Sequence, residues 1–263
     1  MDEDTRTDIG DHRPAFSLVC RGWRPYALAL FAVLVSTSVP SLFPPDASRW
    51  ALPLVNVVLF YPAFLGLVWS RQRRRALAVT FVWAGVSSLA VASAAFLHSH
   101  SFGPAVIKGI SYKNEMFTWI VTGIGPESDP AQFLPQHALH LAVFAALSFL
   151  SFGFFGLVMG AILLNHMNFY YGALIAEAQN PWFAALLGWP VWAILRVAGY
   201  IFLGVGLADL GRTIVWGKSR PDWGSVAKLL IPGVVLVITD VLLKTALAPA
   251  WRIMLARAFG LSY

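Results

Sequence analysis

Residues 71–97 read RQRRRALAVTFVWAGVSSLAVASAAFL, an arginine cluster followed by a long run without a charged side chain. An α-helix rises about 1.5 Å per residue, so about 20 residues cross the roughly 30 Å hydrocarbon core of a bilayer. The apolar run from Ala76 to Leu97 reaches that length. An excess of Lys and Arg marks the cytoplasmic ends of membrane helices. The stretch therefore predicts a transmembrane helix that begins at the cytoplasmic face.

The composition of the whole chain favours lipid as its main solvent. Of 263 residues, 58% are hydrophobic and 12% are charged, whereas soluble domains carry about 25% charged residues. Lipid offers no partner to backbone N–H and C=O groups, so continuous apolar runs without strand-like alternation must be helical. The predicted fold class is an all-α, polytopic integral membrane helix bundle in contact with the lipid bilayer.

Six runs are long enough to be crossings. They are Tyr26–Phe43, Ala51–Trp69, Ala76–Leu97, His137–Leu164, Pro190–Leu210 and Val226–Leu247. A further segment, His166–Gly188, is apolar at both ends but is interrupted by Glu177, Gln179, Asn180 and Pro181. A broken segment of this kind persists at membrane depth only when it is buried in protein or lines a cavity. We therefore expect six or seven transmembrane helices, with this segment a seventh pass or a broken or re-entrant hairpin.

The basic residues give the expected orientation. Residues 1–25 form a short polar tail that contains Arg6, Arg13, Arg21 and Arg24, and the positive-inside rule places it in the cytoplasm. Residues 26–263 form one transmembrane domain with an external loop at 98–136. Arg212, Lys218, Arg220 and Lys228 lie outside the cell with six crossings and return to the cytoplasm with seven. The expected location is the cell membrane, with a cytoplasmic N-terminus.

The formal net charge of +6 does not indicate nucleic-acid binding. The basic residues lie mostly at the ends of apolar runs, where they orient helices and meet anionic lipid head groups. No basic patch is interleaved with stacking aromatic residues. The single cysteine, Cys20, excludes an intrachain disulfide.

Four histidines stand at the two ends of the expected external loop. His98 and His100 close the third crossing, and His137 and His140 open the fourth. Antiparallel neighbouring helices would bring all four together in the outer leaflet, with Glu115 as the nearest carboxylate. Because imidazole is a common metal ligand, the cluster suggests a transition-metal or haem site, with proton sensing or structural hydrogen bonding as alternatives.

His166 is expected to lie away from that cluster. If residues 137–166 form one continuous helix, they cover roughly 43 Å, which is the whole thickness of the membrane. His166 would then lie on the opposite side of the membrane from His137.

Four charged residues fall within or beside the apolar runs. Asp240 and Lys244 are four positions apart and predict an ion pair along one helix face. Arg196 is then expected to bond to Glu177 or to a backbone carbonyl of the broken segment. Charges at membrane depth cost roughly 2.5–3.5 kcal/mol each on insertion scales, so they mark either such pairs or a polar cavity.

Polar and aromatic residues alternate from Asn165 to Gly172, at the end of the fourth predicted crossing. One interpretation is an interfacial aromatic belt. The alternative is a substrate-facing elbow in which Asn165 and Asn168 donate hydrogen bonds and His166 lies beside them.

Three classes of function remain open from the sequence. The first in rank is a membrane subunit or assembly component, whose partners would pack on small-residue helix faces such as Gly156 to Gly160. The second is a membrane enzyme or redox protein with the histidine metal or haem site. The third is a small transporter that uses the intramembrane charges. No motif in the chain decides whether it is an enzyme.

Overall fold

The computed structural model describes residues 19–215 and 220–261, and within those ranges it is helical without any strand. The all-α membrane bundle predicted from the sequence is confirmed. Residues 1–18 of the predicted tail and Lys218 lie outside the described residues.

The described residues form nine α-helices. These are α1 (Arg24–Ser38), α2 (Pro45–Trp69), α3 (Arg73–Phe102), α4 (Gly109–Thr122), α5 (Pro130–Leu150), α6 (Phe154–Glu177), α7 (Pro181–Leu187), α8 (Val191–Val215) and α9 (Trp223–Ala258). Two 3-10 turns, Val39–Ser41 and Gly103–Ala105, follow α1 and α3. Five of the described helices, α2, α3, α5, α8 and α9, are long and apolar enough to cross a membrane.

Contacts between helix ends show how the chain runs. Arg73 at the start of α3 bonds to Asp209 near the end of α8 and lies 3.5 Å from Asp222 before α9. We call this the arginine end of the bundle. At the opposite end, which we call the loop end, Lys113 of α4 bonds to Glu177 at the end of α6. α3 and α9 therefore begin at the arginine end, where α8 ends, and α6 ends at the loop end.

The prediction that His137–Leu164 forms a single crossing helix is wrong. The chain reverses at Ser151–Gly153, where Phe152 and Gly153 adopt φ of 53° and 92°. The amide of Gly153 donates to the Ser148 carbonyl at 2.8 Å, and the Tyr61 hydroxyl donates to the Ser151 carbonyl. Residues 130–177 are thus a helical hairpin, α5–α6, with its turn at the arginine end.

The segment His166–Gly188, predicted as a seventh pass or a broken or re-entrant hairpin, is broken in the structure. That segment divides into the last turns of α6, a break at 178–180 and the short helix α7 at the loop end. The expected external loop, 98–136, contains the helix α4, which packs against α6, while α5 already begins at Pro130. Arg212 lies at the arginine end together with Arg73, because both bond to Asp209.

The centre of the bundle is the contact between α3 and α6, where small residues let the backbones approach. A Cβ at Gly172 would collide with the carbonyl oxygen of Ala92 on α3. The buried Asn168 of α6 donates to Ser88 of α3 at 3.0 Å, which adds a polar link to this contact. Gly199 and Gly233 bring α8 and α9 together in the same way. These small-residue faces are occupied by helices of the same chain.

Asp209 is the shared acceptor of the arginine end. It is 1% exposed and accepts from Arg73 at 2.7 Å and from Arg212 at 3.1 Å. We predict that Asp209→Asn lowers the free energy of unfolding by about 3 kcal/mol, because it leaves two guanidinium groups without their buried carboxylate. Chemical unfolding of the purified protein in detergent measures the change.

The matched control is Asp222→Asn. Asp222 is 46% exposed, lies farther from Arg73 and caps α9 by accepting from the Ser225 amide. Asn caps helices as well as Asp does, so this variant should unfold like the wild type. Equal losses in the two variants would contradict the role given to Asp209.

Candidate functional site

A cavity of about 330 Å³ lies between α3, α5, α6 and α8. Residues of α4 and Lys244 of α9 complete its wall at the loop end, and Gly153 lines it near the arginine end. α5 is the least buried of the five helices that are long and apolar enough to cross a membrane, with only 17% of its apolar span buried within the protein. The cavity therefore lies inside the bundle with one lightly covered helix between it and the lipid.

Polar groups concentrate in the half of the cavity at the loop end. The polar and charged residues that line this half are Lys108, Ser111, Tyr112, Glu115, Glu127, Gln136, His137, His140, His166, Arg196 and Lys244. They come from five helices (α4, α5, α6, α8 and α9), from the loop between α4 and α5, and from Lys108 just before α4. The hairpin turn at 151–153 makes this possible, because it brings the second half of α6 back beside the first half of α5.

Arg196 and Asp240 form the deepest charged contact of this polar half. The Arg196 guanidinium donates from Nε and Nη2 to both carboxylate oxygens of Asp240, at 2.8 and 2.9 Å. Asp240 is fully buried. The predicted Asp240–Lys244 pair along α9 is thus replaced by a pair between α8 and α9. A planar guanidinium matches a carboxylate at two points, which an ammonium group does not.

Lys244 bonds instead to Glu127 from the loop between α4 and α5, at 2.9 Å. Its side chain is 1% exposed, and its ammonium nitrogen lies 4.4 Å from the centre of the Phe133 ring. The predicted contact of Arg196 with Glu177 is also wrong, since Glu177 bonds to Lys113 at 2.9 Å outside the cavity. For Asp240, Lys244 and Glu177, the predicted partner is thus replaced by a residue on a different helix or loop.

The expected site of four histidines is not formed. His98 and His100 are exposed and do not line the cavity, whereas His137 and His140 do. His166 joins these two, contrary to the expectation that it lies at the opposite side of the membrane. The reason is the break at 151–153, which folds α6 back along α5. No group of three or more His, Cys, Asp or Glu residues in the described ranges is placed to hold a metal ion.

His137 leaves an unused hydrogen-bonding atom in the cavity wall. Its Nδ1 lies 2.9 Å from the Phe133 carbonyl oxygen one turn earlier in α5. Its Nε2 is buried and has no partner among the described residues. The carbonyl requires the proton on Nδ1, so in the neutral ring Nε2 carries a lone pair that accepts a hydrogen bond. His166 packs edge-on against Tyr112, with ring centres 4.8 Å apart.

Glu115 stands at the mouth of the cavity on α4. Burial, and next the charge of Glu127, raise the pKa of Glu115, against smaller opposing effects of Lys244 and Lys108. Burial also raises the pKa of Tyr112 well above its usual value, which keeps its hydroxyl neutral. The mouth therefore contains a carboxylate that gains a proton more readily than usual beside a neutral phenol.

Asn165 and Asn168 are the donors of the substrate-facing elbow that the sequence analysis gives as an alternative. Both are buried and do not line the cavity. Asn168 donates to Ser88 and to the Leu164 carbonyl, so it connects α6 to α3. Of the three residues assigned to that elbow, only His166 reaches the cavity.

The half of the cavity toward the arginine end is apolar. Its wall includes Phe64, Trp83, Phe144, Leu157, Ile201 and Val205. Gly160 lines this region, and a Cβ at that position would meet nothing within 4 Å. The few polar groups there include Ser148, whose hydroxyl has no partner among the described residues. The lining thus changes from charged to apolar along the length of the cavity.

The sequence interpretation missed Lys108, Tyr112 and Glu127 as members of the site. Glu127 lies in a loop and its partner Lys244 is distant in the chain, so no local pattern connects the two residues. The signal that could have found it is the buried, otherwise unpaired Lys244, which requires a carboxylate from another segment once Asp240 bonds to Arg196.

Comparisons of the chain with protein-family models, with curated proteins and with solved structures found no match.

A double-mutant cycle tests the exchange of partners. We predict that Arg196→Met and Asp240→Asn are coupled by on the order of 1–3 kcal/mol in unfolding free energy, because each removes the same two hydrogen bonds. The cycle of Asp240→Asn with Lys244→Met should give a smaller coupling. A larger coupling in the second cycle would restore the i, i+4 pair predicted from the sequence.

The raised pKa of Glu115 predicts a pH-dependent effect of Glu115→Gln. Ionised Glu115 costs stability above its folded-state pKa, and this cost disappears below the ordinary pKa of a glutamic acid, where both states are protonated. The variant should therefore unfold at a higher temperature than the wild type at pH 7.5 and at the same temperature at pH 3.5.

The control for this series is Glu177→Gln, which removes an exposed ion pair with Lys113 and should not raise the unfolding temperature at either pH. Thermal unfolding followed by tryptophan fluorescence in detergent gives the comparison. Stabilisation by Glu115→Gln that is the same at both pH values would contradict the assignment.

Proposed function

We propose that this multi-pass membrane protein binds an amphipathic molecule of the bilayer in the cavity between α3, α5, α6 and α8. The observation that carries the proposal is the change in the cavity lining, from charged at the loop end to apolar toward the arginine end. A lipid presents the same sequence of chemistry, a polar head group followed by a hydrocarbon chain. The volume of about 330 Å³ lies within the range of small-molecule sites.

Access from the membrane supports a lipid ligand over a water-soluble one. α5 separates the cavity from the surroundings and exposes Leu139, Val143 and Leu150. In a bilayer these side chains meet acyl chains directly. A lipid molecule then needs to pass only one lightly packed helix to enter the cavity.

The proposal includes the membrane placement. The positive-inside rule assigns the arginine end to the cytoplasm, because it holds Arg73 and Arg212 and the arginines next to them. The polar half of the cavity then lies in the outer leaflet, at the depth of lipid head groups in a cell membrane. The N-terminus is cytoplasmic on the same argument.

The other hypotheses receive less support. The subunit hypothesis relied on free small-residue faces. Gly156, Gly172 and Gly199 pack against helices of the same chain, whereas Gly160 lines the cavity and a Cβ there would meet nothing within 4 Å. The position of Arg196 and Lys244 in the cavity wall supports the transporter hypothesis. However, the cavity ends near Gly153, where a Cβ would meet the Phe64 ring. This arrangement suits a binding site with one open end.

The geometry does not favour a particular reaction. Ser111 donates to the Lys108 carbonyl and Ser148 has no partner, so neither described cavity serine is hydrogen-bonded to a histidine. A paired nucleophile and base is the arrangement that covalent catalysis requires. The proposal is therefore one of binding.

Filling the apolar half tests the proposal. We predict that Gly160→Leu reduces the amount of lipid that copurifies in mild detergent by about tenfold, as measured by native mass spectrometry. The leucine side chain occupies space that an acyl chain needs, and it also favours the helix over glycine by about 1 kcal/mol. The variant is therefore expected to fold.

The matched control is Gly85→Leu on α3. A Cβ at Gly85 also meets nothing within 4 Å, but the residue is exposed and lies outside the cavity. This variant should keep the lipid content of the wild type. Folded Gly160→Leu protein with unchanged lipid content would refute the proposed function.

A further inference from the structure

The charges in the polar half of the cavity balance each other. Lys108, Arg196 and Lys244 line it as cations, and Glu115 and Glu127 line it as anions. Asp240 stands behind Arg196 and supplies the third negative charge. A head group of one sign would meet as many like charges as opposite ones. A head group that carries both signs matches this lining.

The donors of this half are suited to the anionic part of such a head group. Arg196 uses Nε and Nη2 for Asp240, which leaves Nη1 of the same guanidinium for the cavity that the residue lines. Lys108 is exposed at the mouth and adds an ammonium group. Guanidinium and ammonium groups are the usual protein partners of phosphate oxygens.

The acceptors are suited to a donor on the ligand. His137 Nε2 is buried without a partner, and its tautomer makes it an acceptor. Glu115 and Glu127 lie in the same polar half and attract a cation. A primary ammonium group can donate to the Nε2 acceptor of His137, whereas a quaternary ammonium group has no proton to donate.

We propose that the ligand is a phospholipid with a phosphodiester and a primary ammonium in its head group, the chemistry of an ethanolamine phospholipid. This inference rests on the proposed lipid-binding function and adds the identity of the head group. The phosphodiester lies toward Arg196 and Lys108, and the ammonium donates to His137 Nε2. The acyl chain extends into the apolar half.

The test uses the 263-residue chain in detergent and native mass spectrometry with three dioleoyl phospholipids at equal concentration. These carry ethanolamine, choline or glycerol head groups. The ethanolamine lipid should bind about tenfold more tightly than the choline lipid, the loss expected for one hydrogen bond between a charged donor and a buried acceptor. The glycerol lipid should also bind more weakly, since it has hydroxyl donors but no positive charge.

Variants of His137 connect the preference to its Nε2 atom. His137→Phe should bind the ethanolamine and choline lipids equally. His137→Gln, which retains an acceptor oxygen, should keep part of the preference. His100→Phe removes an exposed histidine outside the cavity and should behave like the wild type. Equal binding of the three lipids by the wild type, or an unchanged preference in His137→Phe, would overturn the inference.

A water-soluble head group separates this inference from the proposed function. Glycerophosphoethanolamine has the same phosphodiester and ammonium but no acyl chain, so it should bind at least a hundredfold more weakly than the lipid. If it binds as tightly as the lipid, the lipid-binding function fails while the head-group assignment survives. If the three lipids bind equally but are all lost in Gly160→Leu, the head-group assignment fails while the function survives.

Discussion

The reversal of the chain at Ser151–Gly153 is the constraint on which the rest of the site depends. Gly153 has a φ of 92°, a conformation that favours glycine, and it lies against the Phe64 ring and Ala208, where a Cβ would find no room. Tyr61 donates to the Ser151 carbonyl, which also accepts from the Phe154 amide at the start of α6. Because the turn is this tight, α6 returns directly beside α5, and the two helices enclose the cavity with α3 and α8.

The same turn explains which part of the histidine hypothesis failed. His137 and His140 were expected to meet His98 and His100, because sequence alone places all four near one face of the membrane. The hairpin instead brings His166 of α6 into the cavity lining together with His137 and His140. The kink at His98, with φ of −142° and ψ of 42°, lies at the end of α3, away from the cavity lining. A continuous apolar run does not indicate a three-residue reversal. An unbroken helix would separate His166 from His137 by the thickness of a bilayer, whereas both residues line the same cavity.

The sequence predicted the fold class and most helix positions, since both follow from apolar length. Trp223–Ala258 contains the predicted sixth crossing, and Val191–Val215 covers the predicted fifth crossing except for Pro190. The partners of the charged residues were beyond the same reasoning. The i, i+4 rule for Asp240 and Lys244 describes an isolated helix, where the neighbouring turn is the only available partner. In the bundle Asp240 faces α8, and the two-point contact with Arg196 satisfies both of its oxygens. Lys244 then depends on Glu127 from a loop that no local pattern connects to it.

This exchange of partners has a consequence for the cavity. If Asp240 bonded to Lys244 along α9, Arg196 would enter the cavity as an uncompensated guanidinium, and Glu127 would have no cation beside it. The lining would then favour a simple anion. With Arg196 held by Asp240 and Lys244 held by Glu127, the positive and negative groups are fixed in neighbouring pairs before any ligand arrives. A ligand with both charges can meet such a lining without separating either pair, and the unpartnered Nε2 of His137 adds the direction in which its donor must point.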